Sequence, residues 1–143
     1  MIRPYQDHDI DELLDVWYAA SSLAHPFLPA AFQKQERENI RNIYIPNTRT
    51  WVYLVANELV GFISMIDNEI GAIFIKPTYH GQGIGTKMVN YVAQFHETLE
   101  VEVFKANKIG RPFYDKYGFV YLKEYLHKAT NNQVLRLKFT KTN

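Results

Sequence analysis

Ile70-Gly-Ala-Ile-Phe-Ile-Lys-Pro-Thr-Tyr-His-Gly-Gln-Gly-Ile-Gly-Thr86 falls into two halves. The first is a short apolar run rich in β-formers and closed by Pro77, which cannot donate to a sheet ladder, so a strand ends near Ile75 or Lys76. The second sets Gly81, Gly83 and Gly85 at alternate positions, leading into Ile84, Met88, Val92 and Phe95 at helical spacing. A strand therefore passes through a glycine turn into a helix N-terminus. Such a turn can bind an anion, because no side chain screens its amides, first-turn N–H groups lack helical partners and the macrodipole adds positive potential. The competing reading is a glycine-rich surface turn that caps a core helix and binds nothing.

Spacing excludes two phosphate motifs. A P-loop needs Gly-Lys-Ser/Thr after four intervening residues, whereas the chain here runs Thr86-Lys87. A dinucleotide fingerprint needs G-x-G-x-x-G at the start of a βαβ unit and an acidic ribose partner; this chain has G-x-G-x-G in mid-sequence and no obvious partner.

The 143 residues fit a single domain, 1–143, with 47% apolar, 15% aromatic and 22% charged residues, the balance of a globular protein. A net charge of +1 with scattered Lys and Arg gives no basic stripe, so a nucleic-acid partner is not expected. The absence of cysteine excludes disulfides, thiolate metal sites and an acyl-cysteine intermediate. No apolar run approaches the roughly 18 residues of a membrane span, and the N-terminus lacks a signal core, so the expectation is a cytoplasmic protein with no membrane partner.

Along the chain, Ile2 to Pro4 reads as a strand, followed by a helix capped by Asp7 or Asp9 and ending near Ser21-Ser22. Pro26 and Pro29 interrupt the pattern before a second helix carrying Phe32, Glu36, Ile40, Ile43 and Tyr44. Strands at 51–56 and 59–66, with turns at Asn57-Glu58 and Asp67-Asn68, form an antiparallel meander into the strand at 70–76. A helix from about 84 to 95 then crosses to a strand at 99–104, which makes 70–76 and 99–104 parallel. A helix at about 108–117 ends at Gly118, and strands near 119–126 and 133–140 follow. On 99–104, Leu99, Val101 and Val103 share one face, and Glu100, Glu102 and Phe104 the other.

Strand, Pro, x-x-G-x-G and helix resemble the pyrophosphate loop of the GNAT superfamily, the acetyl-coenzyme A-dependent N-acetyltransferases, with His80 where the family usually has Arg or Gln. Asn107-Lys-Ile-Gly-Arg-Pro-Phe-Tyr-Asp-Lys-Tyr-Gly-Phe119 resembles a second signature, N-x-x-A-x-x-F-Y-x-K-x-G-F, with Gly110 for the usual Ala and Pro112 inside the helix. The order of elements matches the superfamily over essentially the whole chain, and His25-Pro26-Phe27 resembles small bacterial members.

The resemblance implies an α+β GNAT-like fold: a mostly antiparallel mixed sheet, flanked by helices, with one parallel strand pair splayed to admit pantetheine. It implies acetyl-coenzyme A as cosubstrate and no metal. Ile73, Phe74 and Ile75 would pair with the pantetheine through their backbone, and Gly81, Gln82, Gly83, Ile84, Gly85 and Thr86 would hold the pyrophosphate. Asn107 would bond the pantetheine arm, or else start a turn or helix. Tyr114 would protonate the departing thiolate, and Glu102 would be the general base, or else a surface carboxylate. His25 and Phe27 are candidate acceptor contacts, with a packed connector as the alternative for His25. The acceptor is a small-molecule amine or a protein N-terminus or lysine, and monomer and homodimer both stay open. A catalytically silent acyl-coenzyme A-binding module and a cofactor-free interaction domain are the rival functions.

Overall fold

The computed structural model describes residues 1–142. Seven strands share one sheet in the order β1-β2-β3-β4-β5-β7-β6. They are β1 (Ile2–Pro4), β2 (Arg49–Val55), β3 (Glu58–Ile66), β4 (Glu69–Ile75), β5 (Thr98–Phe104), β6 (Val120–His127) and β7 (Asn132–Thr140). The helices are α1 (Ile10–Ala24), α2 (Ala30–Asn39), α3 (Ile84–Ala93) and α4 (Gly110–Tyr117). Every strand pair is antiparallel except β4 with β5. This is the mixed α+β architecture expected from the sequence, with the parallel pair in the expected place. Among the described residues no helix is long and apolar enough to cross a membrane.

Two cores form because the sheet buries both faces. On one face, Leu13, Leu14 and Trp17 of α1 pack on Val52 and Phe62. On the other, Met88, Val89 and Val92 of α3 pack on Ile63, Leu99 and Val101. Full burial of each of these large side chains contributes about 1.5–3 kcal/mol. The alternation read for 99–104 holds: Leu99, Val101 and Val103 enter the α3 core, while Glu100, Glu102 and Phe104 face the α1 side.

The register of β4 opens the molecule. β3 follows β4 as far as Ile75, with one irregularity in which Ser64 opposes Ala72 and Met65 opposes Ile70, leaving Gly71 as the extra residue of a bulge. The bulge reverses the pleat, so Ile70 packs in the α3 core while Ala72 and Phe74 pack on the α1 side. β5 meanwhile stays paired with β7 through Phe104. β4 and β5 share only Glu69↔Glu100 and Ile70↔Val101, and beyond those pairs they part.

Several local expectations differ from the structure. α1 continues to Ala24, two residues beyond Ser22, where Pro26 disfavours the helical conformation at His25 and the chain turns, with the Leu28 N–H donating to the His25 carbonyl at 3.1 Å. Asp9 does not cap α1 through its side chain; it sits in a short 3-10 turn, Asp7–Asp9, and its carboxylate takes Arg3 at 2.8 and 2.9 Å and the Gln6 N–H at 2.8 Å. After α2 the chain widens into a π turn, Ile40–Tyr44, which shifts the helical phase, so Ile40 is buried while Ile43 and Tyr44 are exposed. α3 stops at Ala93, which leaves Phe95 exposed and off the apolar stripe. The β2–β3 turn is centred on Ala56 and Asn57, both at positive φ, one residue earlier than read. Pro112 fits in α4 because it lies in the first turn, where its missing N–H has no helical partner to lose.

Asp9 joins β1 to α1, and the Arg3 hydrogen bond, together with the Gln6 N–H, holds its carboxyl below the usual value. Asp9→Ala should therefore cost about 2–3 kcal/mol in urea unfolding at neutral pH. Because the folded value is depressed, this stabilisation is complete above about pH 4 and is lost as pH falls below it. An Asp9→Ala protein as stable as wild type at pH 7 would rule the linkage out.

Candidate active site

Where β4 and β5 part, a cleft of about 780 Å³ opens beside the glycine turn. Ile73 to Ile75 form one wall, Asn107 and α4 the other, and the small residues Ala20 and Ala24 of α1 leave room above it. Gly81, Gly83, Ile84, Gly85 and Thr86 line its mouth, whereas Gln82 is exposed and outside the lining. Ala20 and Ala24 gave no signal in the sequence, since small residues on an amphipathic helix read as ordinary filler.

The three glycines have two different causes. Gly81 and Gly83 stand at φ +79 and +81 with nothing within 4 Å of a Cβ position, so backbone conformation dictates them. Gly83 is the N-cap of α3 and no side chain caps the helix, so the first-turn N–H groups are left facing the mouth. At Gly85 a Cβ would lie 3.0 Å from Phe113 and 3.2 Å from Ile75, so close packing dictates this glycine. The imidazole of His80 turns back on its own strand: Nε2–H donates to the Ile75 carbonyl at 2.8 Å, tying the loop to the end of β4.

Tyr114 is buried in α4, its ring held edge-on by Phe113 and Phe119 at 5.4 Å each. Its hydroxyl opens on the cleft and has no hydrogen-bonding partner among the described residues. Burial pushes the phenol's pKa well up, so the group stays protonated and can donate. The helix stops just behind it, where Gly118 at φ +118 lets the N–H groups of Gly118 and Phe119 fold back on the Tyr114 carbonyl.

Asn107 is buried at the cleft wall, and its Oδ1 accepts the Ile109 and Gly110 N–H groups at 3.0 and 2.8 Å. It both starts α4 and lines the cleft, so the two roles read for it are compatible. A Cβ on Gly110 would sit 2.7 Å from Asn107 Nδ2, which accounts for glycine there.

His25 and Phe27 stand behind the cleft, outside its lining. His25 is buried, bonded through Nδ1 to Ser21 Oγ at 3.0 Å and through Nε2 to Asn107 Nδ2 at 3.3 Å. Phe27 packs on His25 and Phe104 with ring centroids at 5.8 and 5.4 Å. Glu102 lies on the α1 face just past the last shared β4–β5 pair and also outside the cleft lining. Its carboxylate pairs with Arg136 at 3.2 Å, and the same guanidinium holds Glu100 at 2.9 Å and Glu69 at 3.2 Å. Arg136 was missed in the sequence, because only the β5–β7 register reveals that it faces Glu102.

The sequence profile of the Acetyltransferase (GNAT) family matches residues 12–119. Over 120 residues the chain is 31% identical to peptidyl-lysine N-acetyltransferase YiaC of Escherichia coli K12, covering 83% of this chain and 82% of YiaC. The solution structure of apo YjaB from Escherichia coli superposes with a TM-score of 0.88 at 23% identity, over 99% of this chain and 98% of YjaB. The PaiA N-acetyltransferase of Thermoplasma acidophilum, solved in complex with coenzyme A, superposes with a TM-score of 0.78 at 18% identity, over 97% and 98% of the two chains.

Burial lowers His25 from the usual 6.5 to about 4. The fold therefore favours neutral imidazole, and the unfolded chain takes up more protons between those values. This contribution is fully present above pH 6.5 and is lost as pH falls towards 4, on the order of 3 kcal/mol in all. Urea midpoints for wild type and His25→Gln should converge as pH is lowered through this window. Parallel loss in both proteins would show that His25 is not held neutral.

Proposed function

The chain belongs to the GNAT family of acetyltransferases, and on that premise we propose that it moves the acetyl group of acetyl-coenzyme A directly to a primary amine in the cytoplasm. The acceptor we favour is a protein lysine side chain, as the printed names of relatives such as YiaC indicate for those proteins, with a protein N-terminus or a small-molecule amine as the other options. One observation carries this reading: the strand pair parts beside a glycine turn, with the Tyr114 hydroxyl at the opening and without a partner among the described residues.

The residues fit the donor. Among the described residues β4 has no strand partner on its β5 side beyond Ile70, so the backbone of Ile73 to Ile75 can accept an extended pantetheine arm as a sheet accepts an added strand. The amides of Gly81 to Thr86 supply the anion site for the pyrophosphate. Bound there, the donor supplies a thioester carbonyl open to attack by a neutral amine. A β4 amide near Ile75 stabilises the oxyanion that develops. Glu102 lies outside the cleft, so it takes the amine's proton through water. Tyr114 gives its proton to the departing sulfur. The N–C bond forms, the C–S bond breaks, and the amide and the free thiol are the products.

Tyr114→Phe keeps the packed ring and removes only the hydroxyl. Turnover with a lysyl peptide should fall ~10²–10⁴ fold while coenzyme A affinity and melting temperature stay at wild-type values. An unchanged turnover number would reject Tyr114 as the acid. Glu102→Gln should flatten the acidic limb of the pH–rate profile, and an unaltered profile would leave Glu102 as a strand-surface carboxylate. Tight coenzyme A binding with no thiol release across peptides and small amines would favour a silent binding module instead.

A further inference from the structure

We propose that His25 is a positioning residue for acyl transfer: its bare Nε2 fixes the direction of the Asn107 amide so that one Nδ2 hydrogen is left for the donor's pantetheine arm. This rests on reading the cleft as the acetyl-coenzyme A site. The hydrogen-bond pattern determines each atom in turn. The Asn107 side-chain atom that meets two backbone N–H groups, of Ile109 and Gly110, must be the oxygen, because the amide nitrogen cannot accept. The atom facing His25 Nε2 at 3.3 Å is therefore Nδ2, which can only donate. Nε2 is thus unprotonated, the ring hydrogen is on Nδ1, and that hydrogen is donated to Ser21 Oγ at 3.0 Å.

Two further constraints hold the arrangement. Phe27, Phe74 and Phe104 stand edge-on to the imidazole at 5.8, 6.3 and 5.2 Å, so the ring cannot swing. Gly110 leaves room for the amide, since any Cβ there would approach Nδ2 to 2.7 Å. The Ser21–His25–Asn107 chain joins the end of α1 to the start of α4, 82 residues apart between His25 and Asn107, and so straps together the two halves that β4 and β5 leave separated. Asn107 lines the cleft, and of its two Nδ2 hydrogens His25 takes one.

Three variants separate positioning from packing. The glutamine oxygen of His25→Gln reaches the place of Nε2 and can accept from Asn107. The shorter His25→Asn reaches only Ser21. Gly110→Ala displaces the Asn107 amide without touching His25. Expected for His25→Asn and for Gly110→Ala is a KM for acetyl-coenzyme A raised roughly 3–10 fold, the loss of one hydrogen bond, with a smaller change in kcat. His25→Gln should stay within about twofold of wild type. Equal losses in His25→Gln and His25→Asn would reduce His25 to a packing residue and overturn the proposal, as would wild-type KM in both His25→Asn and Gly110→Ala. Nitrogen-15 spectra of wild-type imidazoles give a readout independent of folding in the variants: His25 should show a protonated Nδ1 and a bare Nε2, and the opposite tautomer overturns the proposal. A wild-type protein that binds no coenzyme A by calorimetry overturns the donor-site reading and this role with it. The tautomer spectrum still tells that failure apart from a wrong hydrogen-bond assignment.

Discussion

The rest of the structure depends on a competition for backbone hydrogen bonds that β4 and β5 resolve in opposite directions. β4 keeps its ladder with β3 to Ile75, β5 keeps its ladder with β7 to Phe104, and between themselves they share two residue pairs. Beyond Ile70 the β5 side of β4 has no strand partner among the described residues, and it is this edge that our proposal gives to an extended ligand. The bulge at Gly71 adds to this by turning Phe74 towards the α1 side while Ile73 and Ile75 stay with α3. The cleft is therefore a consequence of sheet register, and the glycine turn lies at its open end because α3 begins where β4 stops.

The α1 side of that opening carries two kinds of surface. Half-buried rings of Phe27, Phe74 and Phe104 surround His25, while Glu69, Glu100 and Glu102 gather around Arg136. One guanidinium with three carboxylates is a shared network whose geometry limits each partner's freedom, unlike an isolated surface pair, which contributes about 0–1 kcal/mol. It leaves an acidic excess on the α1 face of β5, beside the apolar rings.

Patterns that depend on nearest neighbours were readable from the chain. The β-rich run closed by Pro77, the alternate glycines, the two-residue alternation of 99–104 and the stop at Gly118 all concern residues a few positions apart, and each stands where expected. What escaped depends on contacts between distant segments. Arg136 meets Glu102 only through the β5–β7 register, and His25 meets Asn107 only because α1 and α4 flank one cleft. Gly85 was legible as part of the glycine turn, but the close contact with Phe113 and Ile75 that requires glycine there was not. Phe95 continued a helical stripe that the helix itself does not follow beyond Ala93.

The most direct test of the donor cleft is a coenzyme A titration followed by backbone amide shifts. The account requires the largest changes at Ile73 to Ile75, Gly81 to Thr86 and Asn107, with little movement at Trp51 or Phe95 on the far end of the sheet. Saturable binding that leaves the glycine turn and β4 unperturbed would contradict it.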